Sequence, residues 1–172
     1  HLSIRRQRQM CIRDRDQPEL MLSHASKEMI EQAQADVIAI GPGLGQSAEA
    51  HDLLNQALQS SALLIIDADG LNLIAADSEL LKQLKLRPSL TTVITPHPGE
   101  AAKLLKTTTE QIQMDRSLAM NQLVALTGAI VVLKGQHTLI KAPHLAPQLN
   151  EVTQVCLKGN PGMGVAGMGD VL

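Results

Sequence analysis

The sequence predicts an α/β fold with a mainly parallel central sheet, and three observations support this. Short apolar runs of strand length recur along the 172 residues. Most of these runs are followed by a segment with helical apolar spacing. The runs are continuous rather than alternating, as is typical of parallel strands covered on both faces. Together they predict one three-layer domain, truncated at both ends, in which helices flank the sheet.

The elements follow in a regular order. Strands are predicted in ELML (19–22), ADVIAI (35–40), ALLIIDADG (62–70), TTVITPHPGE (91–100), AIVVLKG (129–135), HTLIKAP (137–143) and EVTQVCL (151–157). Helices are predicted in SKEMIEQAQ (26–34), AEAHDLLNQALQ (48–59), LNLIAADSELLKQL (71–84), GEAAKLLK (99–106) and DRSLAMNQLVALTG (115–128). We expect Gly128 to be the C-cap of the last helix, because glycine adopts the left-handed conformation that ends helices.

Composition narrows the class of protein. The net charge of −2 gives no electrostatic reason to expect nucleic acid or an anionic membrane as partner. The apolar runs are too short to span a bilayer. Two cysteines suit a reducing compartment, which predicts a cytoplasmic protein. Phe, Tyr and Trp are absent, so a bound ring must be held by aliphatic side chains and backbone.

The first fifteen residues do not match the rest of the chain. HLSIRRQRQMCIRDR is basic and has neither helical nor strand periodicity. It is open to interpretation as a basic arm, but MCIRD back-translates to ATG-TGT-ATA-AGA-GAC, which resembles a transposon-end adapter. We therefore interpret 1–15 as a non-native segment, excluded from fold reasoning, and 16–172 as a partial domain.

Polar or glycine-rich motifs follow four of the predicted strands, where ligands bind in parallel α/β sheets. GPGLG (41–45) brings bare backbone to a strand end, either for a ligand or as a tight turn into a helix. DADGLN (67–72) places acids that either hold a metal or, through Asp69 or Asn72, cap the next helix. Because these motifs share one edge of the sheet, they predict a single site.

Two further motifs carry titratable groups. TPHPGE (95–100) places His97 between two prolines, which suits substrate hydrogen bonding or proton transfer, or else leaves a surface histidine in a stiff turn. KGQHT (134–138) combines a cation, a glycine and a hydroxyl, which suits a phosphate or nucleotide, or else forms a hairpin turn.

The chain ends on GNPGMGVAGMGDVL (159–172). Repeated glycines before a helix start expose backbone N–H groups that stabilise a phosphoryl group, and Asp170 at their mouth suits a general base. The alternative is a disordered glycine tail. The regular alternation of apolar residues and glycine favours the anion hole.

These motifs, in this order, resemble the ADP-dependent NAD(P)H-hydrate dehydratases of the ribokinase-like superfamily. The resemblance covers Pro18–Leu172 and implies a ribokinase-like fold. It also implies repair of (6S)-NADHX and NADPHX, nicotinamide cofactors hydrated at C6: ADP phosphorylates the hydroxyl, and elimination yields NADH or NADPH, AMP and phosphate. Mg²⁺ is expected with the nucleotide, and no protein-held metal is predicted.

The resemblance also assigns residues. Asp170 would act as the base, beside an anion hole of Gly167, Met168 and Gly169. The hydrated cofactor would contact Gly41, Gly43, Gly45, His97 and Asp170. ADP or AMP would contact Lys134, Gly135, Gln136, His137, Thr138 and Gly169.

Segments of the family that precede and follow this stretch are missing, so we expect the fragment itself to be inactive. The intact protein is expected to be a homo-oligomer, as a tetramer, with a possible fused NAD(P)HX epimerase domain. Two alternatives stay open from the residues: a ribokinase-like kinase that uses ATP on a vitamin precursor or sugar alcohol, and a non-enzymatic binding domain.

Overall fold

A computed structural model describes residues 35–143 and 153–156. The predicted strand at 19–22, the predicted helix at 26–34 and the terminal glycine-rich segment at 159–172 lie outside these residues.

The described residues form a six-stranded sheet whose strands lie side by side in chain order. The strands are β1 (Val37–Ile40), β2 (Leu63–Ile66), β3 (Thr92–Ile94), β4 (Ile130–Leu133), β5 (Leu139–Lys141) and β6 (Gln154–Val155). Neighbours from β1 to β4 pair in parallel, and β5 and β6 are added in antiparallel fashion. The prediction of a mainly parallel sheet is confirmed, including a strand from HTLIKAP beside β4.

Helices fill each parallel connection. They are α1 (Ala48–Gln59), α2 (Ala68–Ala76), α3 (Ser78–Leu86), α4 (Pro98–Leu105), α5 (Thr109–Met114) and α6 (Arg116–Thr127). Most begin at a residue whose side chain accepts a backbone N–H of the first turn, for example Ser47 before α1 and Asp115 before α6. Gly128 ends α6 with φ 68°, so the predicted C-cap is confirmed.

The prediction of one helix over 71–84 was wrong. The structure has two helices there, and Asp77 lies between them with φ −121° and ψ 114°, outside the helical region. The Asp77 backbone N–H donates to the Leu73 carbonyl in the last turn of α2. The Asp77 carboxylate accepts from the Glu79 N–H at the start of α3. Local hydrogen bonding by an aspartate therefore outweighed a continuous apolar periodicity. Helix α5 had not been predicted.

The core lies between the helices and one face of the sheet. Leu64, Ile66, Ile94, Val131 and Leu133 point to this face and are at most 1% exposed. Parallel strands that follow one another in order, with right-handed crossovers, place all their connecting helices on the same side. Among the described residues, the opposite face is the open one: Val37, Leu63 and Ile65 are 50%, 48% and 40% exposed.

The helices are short. Within the described ranges, none combines the length and the apolar character that a bilayer crossing requires.

Candidate functional site

The site occupies the edge of the sheet at the carboxyl ends of the parallel strands. Strand β1 leads into Gly41, β2 into Asp67, β3 into Thr95 and β4 into Lys134. The Asp67 N–H donates to the Ile40 carbonyl, and the Thr95 N–H donates to the Ile66 carbonyl, each at 3.1 Å, so the pairing continues to the last residue of each strand. The predicted motifs therefore meet at one edge.

The glycine turn after β1 lies directly against the start of α2. Gly41 has φ +131°, and a Cβ at this position would lie 1.8 Å from the Asp67 carbonyl oxygen. The backbone can approach this closely only without a side chain. Gly43 and Gly45 also have positive φ, of 67° and 78°. Three of the five residues of the turn thus lack a side chain and have positive φ, which fits the ligand hypothesis and a tight turn equally.

The polar residues of DADGLN have partners at the same edge. The Asp69 carboxylate accepts the Gly45 N–H at 2.8 Å, and the Asn72 side-chain oxygen accepts from the Lys103 ammonium at 2.6 Å. The alternative that Asp69 or Asn72 caps the next helix is contradicted, since α2 begins at Ala68, and Asp67 precedes it without a side-chain cap bond. Asp69 instead stabilises the glycine turn.

The Lys134 ammonium contacts both carboxylate oxygens of Asp67, at 2.7 and 2.9 Å. The pair joins the end of β4 to the end of β2 and crosses β3, which lies between them. The Lys134 backbone N–H donates to the Pro96 carbonyl at 2.9 Å, so the loop after β3 is tied to the loop after β4. Lys134 therefore connects three of the four loops.

The carboxylates at this edge do not form a metal cluster. Within residues 35–143 and 153–156, no group of three His, Cys, Asp or Glu side chains could hold a metal ion. Asp67 is occupied by a lysine and Asp69 by a backbone amide. The interpretation of DADGLN as a protein-held metal site gains no support from this geometry.

His97 is the N-cap residue before α4, and its ring belongs to a capping box. The ring Nδ1 accepts the N–H groups of Gly99 and Glu100 at 2.9 and 3.4 Å, while the Glu100 carboxylate accepts the His97 N–H at 2.7 Å. Because Nδ1 accepts, the neutral ring carries its proton on Nε2, which lies 3.2 Å from the buried Glu100 carboxylate. Both ring nitrogens thus have partners within the capping box, and the exposed part of the ring is what His97 presents to a ligand.

The loop 134–138 joins β4 to β5, so it is a hairpin connection as well as the predicted nucleotide segment. Gly135 and His137 have φ of +137° and +58°. One guanidinium holds the loop: Arg116 donates to the carbonyls of Leu133 at 3.0 Å, Lys134 at 3.3 Å and Gln136. Burial lowers the pKa of Arg116 below its ordinary value, but a guanidinium stays charged at any working pH.

Sequence reasoning missed two of these residues. Arg116 lies at the start of α6, far along the chain from the carbonyls it binds, and no local pattern indicates that contact. Glu100 could have been found, because an N-cap residue followed three positions later by Glu is the spacing of a capping box. His97 replaces the usual Ser or Thr, which concealed the pattern.

The predicted residues divide into two groups. The structure gathers Gly41, Gly43 and Gly45 with the loop 134–138 at one edge, and Pro96 ties the segment that carries His97 to the same loop. Asp170 and the predicted anion hole at 167–169 lie outside the described residues.

The chain is similar to known proteins in family, in sequence and in structure. A family model described as NAD(P)H-hydrate dehydratase matches residues 6–172. A bifunctional NAD(P)H-hydrate repair enzyme of Coxiella burnetii is 41% identical over 138 residues, which is 80% of this chain and 25% of that protein. An ADP-dependent (S)-NAD(P)H-hydrate dehydratase of Neisseria meningitidis is 37% identical over 157 residues, 90% of this chain and 50% of that protein. The chain thus spans a quarter to a half of these relatives.

Solved structures agree with the fold. A ribokinase-like superfamily protein of Enterococcus faecalis superposes with a TM-score of 0.64 at 32% identity, covering 83% of this chain and 45% of that one. An ADP/ATP-dependent NAD(P)H-hydrate dehydratase of Bacillus subtilis, co-crystallised with ATP and Mg²⁺, gives a TM-score of 0.61 at 25% identity, covering 81% of this chain and 47% of that one. The predicted ribokinase-like fold is confirmed.

Proposed function

Because the chain belongs to the NAD(P)H-hydrate dehydratase family, we propose that the intact protein catalyses the ADP-dependent dehydration of (6S)-NADHX and NADPHX. The products are NADH or NADPH, AMP and phosphate. The observation that carries this proposal is the family match over nearly the whole chain, together with the gathering of the glycine turn and the KGQHT loop at one edge of the sheet.

The chemistry requires little apparatus. Hydroxide is a poor leaving group, and transfer of a phosphoryl group from ADP to the C6 hydroxyl turns it into phosphate, a good one. The hydroxyl proton passes to the base as the new O–P bond forms and AMP leaves. The ring C–O bond then breaks and a ring proton is lost, which restores the dihydronicotinamide.

The described residues have binding roles in this proposal. The hydrated ring is proposed to contact the backbone of Gly41, Gly43 and Gly45; a Cβ on Gly43 would meet nothing within 4 Å, so the turn is open there, whereas the space beside Gly41 is filled by the Asp67 carbonyl. Residues 135–138 are proposed to offer the adenine nucleotide their backbone N–H groups and the oxygen of the Thr138 hydroxyl, whose proton is donated to the Gly135 carbonyl at 3.2 Å. His97 is proposed to contact the hydrated cofactor through the exposed part of its ring, since both ring nitrogens have partners within the capping box.

Roles outside the described residues follow from the sequence alone. Asp170 is proposed as the base, and Gly167, Met168 and Gly169 as the donors that stabilise the moving phosphoryl group. Mg²⁺ is proposed to arrive with the nucleotide and to neutralise phosphate charge when bound. No described residue set holds it, so no step is assigned to it.

Assembly and location are also part of the proposal. The relatives from Coxiella burnetii and Vibrio cholerae are bifunctional repair enzymes. A second, epimerase domain in the intact protein and a cytoplasmic location fit such a repair role. We propose a homo-oligomer without nucleic acid or membrane as partner.

The test uses the intact protein with (6S)-NADHX and ADP, and follows the return of the dihydronicotinamide absorbance. We expect turnover that requires ADP, with stoichiometric release of AMP and phosphate. No NADHX turnover, together with ATP-dependent phosphorylation of a vitamin precursor or sugar alcohol, would favour the kinase alternative, which the family assignment does not support.

The role of Asp170 has its own variant. Asp170→Asn in the intact protein should abolish turnover while ADP binding is largely retained, because the amide cannot accept the hydroxyl proton. Asp36→Asn is a matched control, since Asp36 is exposed and precedes β1 at the opposite edge of the sheet. Unchanged turnover in Asp170→Asn would remove Asp170 from the proposed mechanism.

A further inference from the structure

We propose that Asp67 is a positioning residue, which acts through Lys134 to hold the glycine turn 41–45 and the loop 134–138 in a fixed relation. The proposal rests on the proposed function for the identity of the two ligands, and it assigns to Lys134 a brace between loops instead of a direct contact with nucleotide phosphate.

The Asp67–Lys134 pair is unlike an ordinary surface ion pair. Lys134 contacts both carboxylate oxygens, and the two side chains are only 20% and 12% exposed. The exposed pair between Lys82 and Glu79 on α3 has a single 3.0 Å contact, with side chains 69% and 64% exposed. Exposed ion pairs contribute little to the free energy of unfolding. Loss of one partner from a desolvated pair is destabilising, because it leaves the other charge buried and uncompensated.

The Asp67 backbone lies against the glycine turn. The Asp67 carbonyl accepts the Gly70 N–H at 3.0 Å and occupies the space where a Cβ on Gly41 would stand. Two residues further on, the Asp69 carboxylate holds the Gly45 N–H. The segment 67–70 therefore contacts the turn at both of its ends, and a displacement of Asp67 would displace the turn.

The Asp67 side chain couples the glycine turn to the loop 134–138 through its contact with Lys134. Lys134 is the first residue after β4, its N–H is bound to the Pro96 carbonyl, and its own carbonyl accepts from Arg116. Its side chain is thus the link between a fixed loop backbone and the start of α2. Loss of the carboxylate would release the ammonium and loosen both loops together.

The pairing with Asp67 weakens Lys134 as a ligand for nucleotide phosphate. An ammonium has three protons, and the two Asp67 oxygens lie within hydrogen-bond distance of it. The local charge is neutralised by the carboxylate, so attraction for phosphate is reduced. The backbone of 135–138 is left as the part of the loop that faces the nucleotide.

The experiment is a double-variant cycle in the intact protein: Asp67→Asn, Lys134→Met and the two together. The measurements are the ADP dissociation constant, by calorimetry well below the melting temperature, and the melting temperature itself. We expect each single variant to weaken ADP binding by about tenfold, and the double variant to be no weaker than the singles, because they break one link. Glu79→Gln with Lys82→Met is the matched control and should stay within about twofold of the unaltered protein.

The double variant separates positioning from mere stability. With both charges gone no buried charge is left unpaired, so the melting temperature should recover while ADP binding stays weak. Recovery of both would show that the pair only stabilises the fold and would overturn the proposal. Unchanged ADP affinity in Asp67→Asn, beside a large loss in Lys134→Met, would make Lys134 a direct phosphate contact and would also overturn it.

Failure of the proposed function gives a different result. If the unaltered protein binds no ADP and turns over no NADHX, amide hydrogen exchange tests the positioning role without any ligand. Asp67→Asn should then speed exchange at both Gly45 and Lys134, whose N–H groups are held by Asp69 and Pro96. Unchanged protection at both amides would contradict the positioning role itself.

Discussion

The two faces of the sheet differ sharply in how the described residues cover them. On one face, Ile66 is fully buried under helices, whereas the preceding residue on the same strand, Ile65, points to the other face and is 40% exposed. Both are isoleucines in β2, so composition does not distinguish them. The order of the parallel strands does, because right-handed crossovers return every connection to one side.

The largest effect is expected from Ile66→Ala on the covered face. Ile66 is 0% exposed and lies in the apolar core, so removal of its side chain leaves a cavity that the surrounding helices cannot fill. The expected loss is about 2–5 kcal/mol in the free energy of unfolding. Urea denaturation followed by circular dichroism measures it. A loss below about 1 kcal/mol would contradict the described packing of this face.

Arg87→Met tests how much the hydrogen bonds of Arg87 stabilise the helical layer at the amino edge of the sheet. The guanidinium binds backbone carbonyls at and after the end of α1 and one hydroxyl at the start of β3: Ala57, Leu58, Ser60, Ala62 and Thr92. Burial lowers the pKa of Arg87, but the group stays charged. Since several acceptors lose a charged donor, we expect a loss of about 2–3 kcal/mol.

Arg87→Lys is the control for this variant. The ammonium keeps the charge but cannot reproduce the planar fork of donors, so its loss should fall between those of the unaltered protein and Arg87→Met. Equal stability of the lysine and arginine forms would show that the positive charge alone, without the planar guanidinium, stabilises the helical layer.

Ile65→Thr tests the open face of the sheet. Threonine keeps the branched Cβ that suits a strand and exchanges apolar surface for a hydroxyl that water can reach. We expect a loss of less than about 1 kcal/mol, as at other partly exposed strand positions. A loss as large as that of Ile66→Ala would show that this face is covered in the intact protein.

Continuous apolar runs were sufficient to predict the strands from β1 to β4, because a strand covered by helices has no room for polar residues. They also favoured burial on both faces, yet Val37, Leu63 and Ile65 are exposed among the described residues. Periodicity reports the apolar character of a strand, but it contains no information on which other part of a chain covers each face.

For the site, too, the sequence predicted the location but not the contacts between its side chains. The position of ligand-binding motifs at the carboxyl ends of strands followed from the sequence, because that edge is a property of the parallel topology. The contacts of Asp67 with Lys134 and of Arg116 with three carbonyls did not follow, since they join residues far apart in the chain. Only tertiary structure selects such partners from the many charged residues available.

Asp77 gives the smallest expected effect, at the junction of α2 and α3 on the covered side. A hydrogen bond from the His51 ring at 2.7 Å, followed by the Glu79 N–H, holds the pKa of the Asp77 carboxyl below its ordinary value of 3.8. A lowered pKa in the folded state stabilises the fold above the unfolded pKa, and this contribution is lost as the pH falls through the lowered value. Asp77→Asn keeps an N-cap acceptor and removes the charge. The difference in melting temperature between the two forms should therefore be present near neutral pH, begin to shrink as the pH falls below about 4, and vanish only once the pH is below the lowered pKa. A difference that persists unchanged into strong acid would show that the carboxylate charge has no part in joining the two helices.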